Sequence, residues 1–441
     1  MKSGTKGISR RNAAKMVAGS LLYGSTKSAF AHALPSAAAP RTQSSVLTPE
    51  EDAFLDDMEK SACLYFYEQA DPGTGQVLDR AINKTATGDR DRRFVSSIAA
   101  TGFGLTAFCI ADRRGYLPSD RIRQRVINTL QFHVRPMPNE HGFFYHFNDV
   151  KTGLPLLYSE VSSVDTAILL CGILTCRAYF NDPKITSLAT QIYERMDWQW
   201  MLDNGNTLSM GWLPATGFLS ARWDHYAEMM MLYLLAIGAP KHAIDPSCWN
   251  NFARPEMRYG PYRYISGHDP LFVHQFSHAW FDFSHKRDAH ADYFANSVTA
   301  TRAHKAFLMS LNRGYSDDYW GVSASDWMHG YTAWGGPPLM GPVDGSVVPC
   351  AAAGSLPFLP KECLRVLRSL KDKYGKDAWG RYGPCDSFHP SLFWYDLDVL
   401  GIDLGISLLM AENLRTGFVW NTFMQNPEVV NAMKMCGFRP H

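Results

Sequence analysis

The stretch "SSVDTAILLCGILTCRAYF", Ser162 to Phe180, offers water almost no polar face. "SSIAATGFGLTAFCIADRRG", Ser96 to Gly115, and "MMMLYLLAI", Met229 to Ile237, have the same character. A helix that is apolar nearly all round must be sheathed by other helices. Several such helices in one chain demand a layered helical architecture. The rest of the chain from about residue 50 supplies the sheath, with helical periodicity in "DRIRQRVINTLQFHV", "ITSLATQIYERMDW", "DAHADYFANSVTATRAHKAFLMSL", "PKECLRVLRSLKDKYG" and "GIDLGISLLMAENLRTGFVW". Thr48 with Glu51 three residues on reads as a capping box opening the first helix. The fold class is therefore all-α, one large domain over 48–441 with about ten to twelve helices and long loops rich in Gly, Pro and aromatics. The two glycines of "TGFGLTAF" lack a preceding strand and a third glycine, so they read as a packing feature.

Composition narrows function. A formal net charge of +1 over 441 residues gives no long-range attraction to nucleic acid or to an anionic membrane. The 12 Trp, 20 Tyr and 25 Phe suit sugar stacking as well as a core. Nine cysteines without a C-x-x-C pair read as mostly buried thiols with at most one or two bridges. At the N-terminus, Arg10-Arg11 before a short apolar run and "AFA" at Ala29 to Ala31 read as a twin-arginine signal peptide over 1–31. Residues 32–47 form an Ala/Pro/Ser-rich linker, and no later segment reads as a membrane span.

Polar residues break the apolar pattern at helix starts. Glu160 and Asp165 stand in "SEVSSVDTA"; Arg222, Asp224, His225 and Glu228 stand in "ARWDHYAE"; Asp396, Asp398 and Asp403 precede the last strong helix. Acidic residues there can be caps, and Asp165 and Asp403 are open to that reading. Read as a helix, 224–228 would put Asp224 and Glu228 on one face, with Glu228 flanked by apolar residues and its pKa raised. In "LFVHQFSHAWFDF", His274, His278 and Asp282 recur at i,i+4. That spacing allows a metal site, a sugar-contacting pair or a hydrogen-bonded structural pair, although H-E-x-x-H is absent. No G-x-S-x-G elbow, Walker loop or dinucleotide fingerprint is present. Carboxylates, aromatics, Arg and His at helix ends match glycoside cleavage, in which one carboxyl protonates the leaving oxygen and another activates water or attacks.

The segments "SSIAATGFGL", "HGFFYHF", "SEVSSVDTA", "RWDHYAE", "LFVHQFSHAWFDF", "DGSVVPCAAAGSLPF", "WGRYG" and "WYDLDVLGIDLG" together resemble the glucoamylase-like domain of bacterial β-1,2-glucan hydrolases, glycoside hydrolase family 144, over residues 60 to 435. The resemblance implies an (α/α)6 toroid and anomer-inverting hydrolysis of β-1,2-glucan without metal or organic cofactor. It implies Glu228 as general acid and a base from the C-terminal acidic run, Asp403 in preference to Asp396 or Asp398, with Glu160 a further cleft carboxylate. Arg222, Asp224, His225, His274, His278, Trp280, Tyr395, Asp396 and Asp165 would bind substrate. A monomer acting on glucan in the periplasm or outside the cell is expected. Rival expectations are another β-glucan or oligosaccharide, a polysaccharide lyase, or a non-catalytic glycan-binding protein. The segment "YGPCDSFHPSLFWYD" departs from the family pattern at Pro384-Cys385 and His389; it should border the cleft and bears on chain length and endo or exo action.

Overall fold

The computed structural model describes residues 47–84, 91–267, 270–337 and 341–441, so the signal-peptide reading and nearly all of the linker lie outside the described residues. The chain is mostly helical. It opens with α1 (Pro49–Glu68), where Thr48 and Glu51 form the expected capping box. There follow α2 (Ile98–Arg114), α3 (Ser119–Val134), α4 (Ser163–Phe180), α5 (Pro183–Glu194) and α6 (Trp198–Leu202). The second half carries α7 (Met230–Gly238), α8 (Tyr293–Ser310), α9 (Pro349–Ala353), α10 (Pro360–Tyr374), α11 (Gly401–Thr416), α12 (Phe418–Phe423) and α13 (Pro427–Met435).

The apolar helices pack in a closed cycle. α2 packs on α4, α4 on α7, α9 on α11, and α11 returns to α2. The gap between α7 and α9 is bridged by the short turns Leu271–His274 and Phe276–Ala279. Met231 N–H donates to Ser277 Oγ at 2.9 Å, and Gln275 Nε2 donates to Ala351 O at 2.9 Å. Each ring member has a neighbour outside it: α1 and α3 against α2, α5 against α4, α13 against α7, α8 against the 271–274 turn, and α10 against α9. Polar outer helices thus sheath apolar inner ones, as the sequence pattern requires. By length and composition α4 could cross a membrane, yet 78% of that stretch is buried within the protein.

Two devices hold the ring tight. A Cβ on Gly172 would stand 2.0 Å from Gly102 O, and one on Gly102 would stand 2.4 Å from Ile168 O. A Cβ on Gly405 would lie 2.3 Å from the Phe103 ring, so α2 meets both neighbours where a side chain is missing. The glycines of "TGFGLTAF" are packing residues, as expected. At the far end, the buried Arg415 of α11 clamps Asp52, Asp56 and Glu59 of α1, and Arg114 pairs with Glu412. The nine cysteines are free thiols, all but Cys436 buried.

Short antiparallel ladders sit just before the ring helices and fix their entry. Val95–Ser97 pairs with Phe147–Asp149 ahead of α2, Val161–Ser162 with Gly211–Leu213 ahead of α4, and Asp398–Leu400 with Arg80–Ile82 ahead of α11. Three helix N-termini are thereby held at one end of the ring. Gly172→Ala is expected to lower stability by roughly 1–3 kcal/mol through overpacking, read as a lower urea midpoint. An unchanged midpoint would mean that α2 and α4 part freely.

Candidate active site

The loops entering α2 and α11 border a small cleft, whose lining includes Arg80, Ser97, His146, Phe147 and Tyr331. A small neighbouring cavity is lined by Cys350, Cys385, Asp386, Asp403 and Ser407, and Leu400 borders both.

On one side, His146 stands between two carboxylates. Its Nδ1 lies 3.4 Å from Glu160 Oε1 and its Nε2 lies 3.6 Å from Asp165 Oδ2. Ser162 Oγ, the cap of α4, also donates to Asp165 Oδ2 at 2.6 Å. Asp165 is therefore more than a cap, because its carboxylate joins the imidazole to the helix start. The bridge between Tyr145 and Val161 brings these residues together across 14 and 19 positions of sequence. His146 was not singled out from the sequence, although it lies in "HGFFYHF"; its place within that motif was its only signal.

The other side is acidic. Arg80 pairs with Asp79 and Asp326, while Arg93 donates to both oxygens of Asp398 at 2.6 and 2.8 Å. Asp398 is thus engaged as an ion-pair partner. Asp386 is buried and accepts the Asp326 N–H at 2.7 Å. Burial pushes Asp386 well above the usual carboxylate range, and the charges of Asp403, Asp326 and Asp396 push the same way. Burial likewise raises Asp326 despite Arg80 beside it. Asp396 is raised to about 7 by burial, then by Asp326. Asp403 lies in the first turn of α11, 5% exposed. Asp326 and Asp386 escaped the sequence reading, since a single Asp in a strand or a loop carries no periodic signal.

Several expected residues are placed differently. Residues 224–229 are not helical: Ala253 N–H donates to Asp224 O at 2.7 Å and Tyr226 N–H donates to Ala253 O at 2.8 Å, which draws this segment onto another loop. Glu228 therefore lies in the turn before α7, buried, with its carbonyl accepting from Ser277 Oγ at 2.6 Å. Asp224 and His225 pair at 2.9 Å on the surface. Arg222 serves the 202–207 loop, donating to Leu202 O at 2.6 Å and to Thr207. The 3-10 turns replace the helical face expected of His274, His278 and Asp282. His274 meets Tyr226 Oη, and His278 meets Ser297 Oγ at 3.1 Å among Phe283, Phe294 and Phe358. Burial takes both imidazoles down to about 3. Trp280, wholly buried, donates to Thr106 and packs on Phe103. The substrate-lining role expected of these three gives way to packing. Tyr395 is half-buried, stacked on Phe388 and tilted against Tyr374.

Residues 220–427 match the family described as "Glycoamylase: Putative glucoamylase". The chain thus carries a glucoamylase-like domain over these residues, a little under half of its length. Over 437 residues it is 26% identical to an exo beta-1,2-glucooligosaccharide sophorohydrolase (non-reducing end) of Parabacteroides distasonis, covering 89% of this chain and 59% of the relative. The chain therefore spans about three-fifths of that relative's length. A solved "putative glucoamylase" of Bacteroides caccae superposes with a TM-score of 0.81 at 26% identity, covering 89% of this chain and all of that one. The endo-beta-1,2-glucanase of Chitinophaga pinensis, solved with sophorotriose and glucose, shares the fold with a TM-score of 0.81 at 24% identity, covering 88% and 98%.

Asp396 yields a pH prediction. A carboxyl that holds its proton more tightly folded than unfolded leaves stability untouched below about pH 4. It then costs stability increasingly as pH rises towards 7, where this group titrates. Asp396→Asn should accordingly be neutral at pH 4 and stabilising above pH 7. Thermal midpoints of the two proteins across that range check this, and parallel curves would refute it.

Proposed function

We propose that this protein is a glycoside hydrolase that cleaves β-1,2-glucan, releasing sophoro-oligosaccharides by an anomer-inverting reaction in the central cleft of an (α/α)6 toroid. The observation that carries this reading is the gathering of buried carboxyls around the entries of one helical ring, in a chain related to a sophorohydrolase. The toroid is supported by the closed cycle of apolar segments, each backed by an outer helix.

In this reading Glu228 is the general acid and Asp403 the general base. Glu228 sits buried at the head of α7, and in this reading it gives its proton to the glycosidic oxygen. Asp403 accepts a proton from the attacking water as the carbon–oxygen bond to the leaving sugar breaks. Inversion asks for carboxyls about 6.5–9.5 Å apart, wide enough for that water. Glu160, steadied by His146, binds substrate or biases the pair electrostatically. Asp398, held by Arg93, is the weaker candidate for the base. The paired arginines and the A-x-A site support export to the periplasm or beyond, where such glucans are found.

The test is hydrolysis of purified linear β-1,2-glucan, with products separated by chromatography. Wild type should release short sophoro-oligosaccharides, and Glu228→Gln and Asp403→Asn should each lose about 10²–10⁴-fold in kcat while keeping the thermal midpoint within a few degrees. Activity only on β-1,3- or β-1,4-glucan would move the substrate, and an unsaturated product absorbing in the ultraviolet would replace hydrolysis by elimination. A Glu228→Gln protein at full rate would remove Glu228 from the chemistry.

A further inference from the structure

Backbone strain in this protein collects beside the cleft. Among the described residues other than glycine, positive φ falls mostly on Asn, Asp and His, the side chains that tolerate it best. Three bulky residues break that rule: Leu157 (φ 58°), Tyr158 (φ 52°) and Phe393 (φ 52°). All three face solvent, at 60%, 102% and 80% exposure, so burial does not explain them. Leu157 and Tyr158 are the centre of a tight turn closed by Ser159 N–H donating to Leu156 O at 2.9 Å. Positive φ at both central positions is the type I′ pattern, which Asn-Gly adopts freely and Leu-Tyr does not. The turn is mounted on the cleft wall: Leu156 N–H donates to Phe147 O at 3.0 Å, and Phe147 N–H donates to Ser159 Oγ at 2.8 Å. Phe147 lines the cleft, its ring stacked on His146 at 3.9 Å. Phe393 lies in the loop between the paired strands Phe388–His389 and Trp394–Tyr395, and the second of these leads directly into Asp396. A strained, exposed aromatic thus precedes each wall of the site, Tyr158 the His146 side and Phe393 the acidic side.

Bulky left-handed residues whose side chains stand in water do nothing for the stability of the fold, and outliers of this kind mark contacts made outside it. We infer that Tyr158 and Phe393 are specificity-determining residues: each offers its ring to a glucose unit of a bound glucan beyond the bond being cleaved. This rests on the reading of the protein as a β-1,2-glucan hydrolase, and it commits the exposed rim to a sugar chain. A pyranose ring presents an apolar C–H face, which a flat aromatic ring desolvates without any charge. Continuity selects this occupant, because the turn that carries Tyr158 hangs on the same Phe147 that lines the cleft. A chain leaving the cleft past Phe147 meets the turn next. Backbones closed by local hydrogen bonds hold both loops ready, which lowers the ordering cost of binding. A short oligosaccharide that fills the cleft alone does not reach the rim, so the two rings act on long chains. Phe393 also gives the loop that departs from the family pattern a purpose, the preference for chain length.

The experiment measures kcat and KM on linear β-1,2-glucan and on the shortest sophoro-oligosaccharide that is cleaved. Tyr158→Ala and Phe393→Ala should each raise KM for the polymer about 3–10-fold, with kcat on the polymer and kcat/KM on the short oligosaccharide within about twofold of wild type. Tyr158→Trp should restore the polymer KM. Replacing Leu157-Tyr158 by Asn-Gly should raise the urea midpoint, because the strain is gone, and should still lose polymer affinity as Tyr158→Ala does. A turn with a merely structural role would show the first effect without the second. An unmoved polymer KM in either alanine variant overturns the assignment of that ring, and equal losses on polymer and short oligosaccharide overturn the inference as a whole. A wild type that sediments as a dimer, with Tyr158→Ala a monomer, would give the rim to a second copy instead. Should wild type cleave no β-1,2-glucan, the substrate reading falls, and electrophoretic retardation in gels containing β-1,2-, β-1,3- or β-1,4-glucan decides the rings. Retardation lost in the double alanine variant supports them, and equal mobility overturns them.

Discussion

The approach of α4 to α2, with Gly172 set against the Gly102 carbonyl, is the contact on which the rest of the structure depends. Helices that meet through glycine come closer than side chains would allow, and Gly405 repeats the device against Phe103 on the other flank of α2. Close approach narrows the ring. It also brings the entries of α2, α4 and α11 near each other, so that short polar stretches far apart in sequence share one cleft. The ladders before each helix then fix which residue of each stretch faces inward.

What the cleft contains is costly to bury. One side joins Glu160 and Asp165 through His146. The other collects more carboxyls than its arginines can neutralise, and the excess is carried by raised pKa values at Asp326, Asp386 and Asp396. Such a cluster works against stability and needs a functional account. The proposed cleavage of a glycosidic bond would supply one, since that reaction uses a neutral carboxyl and an ionised one at the same pH.

The contrast between α4 and the segment before α7 shows how far sequence pattern reaches. In α4 local periodicity, the Ser162 cap and burial all agree, and the helix stands where the pattern puts it. At 224–229 the same kind of pattern extends past the true helix, because Ala253 takes the backbone hydrogen bonds that another helical turn would need. The residues 271–279 tell the same story. Their i,i+4 histidines looked like one helical face, but two successive 3-10 turns send them into the core.

The sequence by itself determined the helical layering, the caps, the packing role of the "TGFGLTAF" glycines and the positions at which acids interrupt apolar runs. These are local properties, set by side-chain period, size and capping chemistry over a few residues. Only the tertiary structure decided that His146 stands between Glu160 and Asp165, that Asp326 and Asp386 join Asp403, and that Trp280, His274 and His278 turn inward. Those facts depend on contacts between segments many residues apart and on the dielectric around each group. Neither exists until the ring closes.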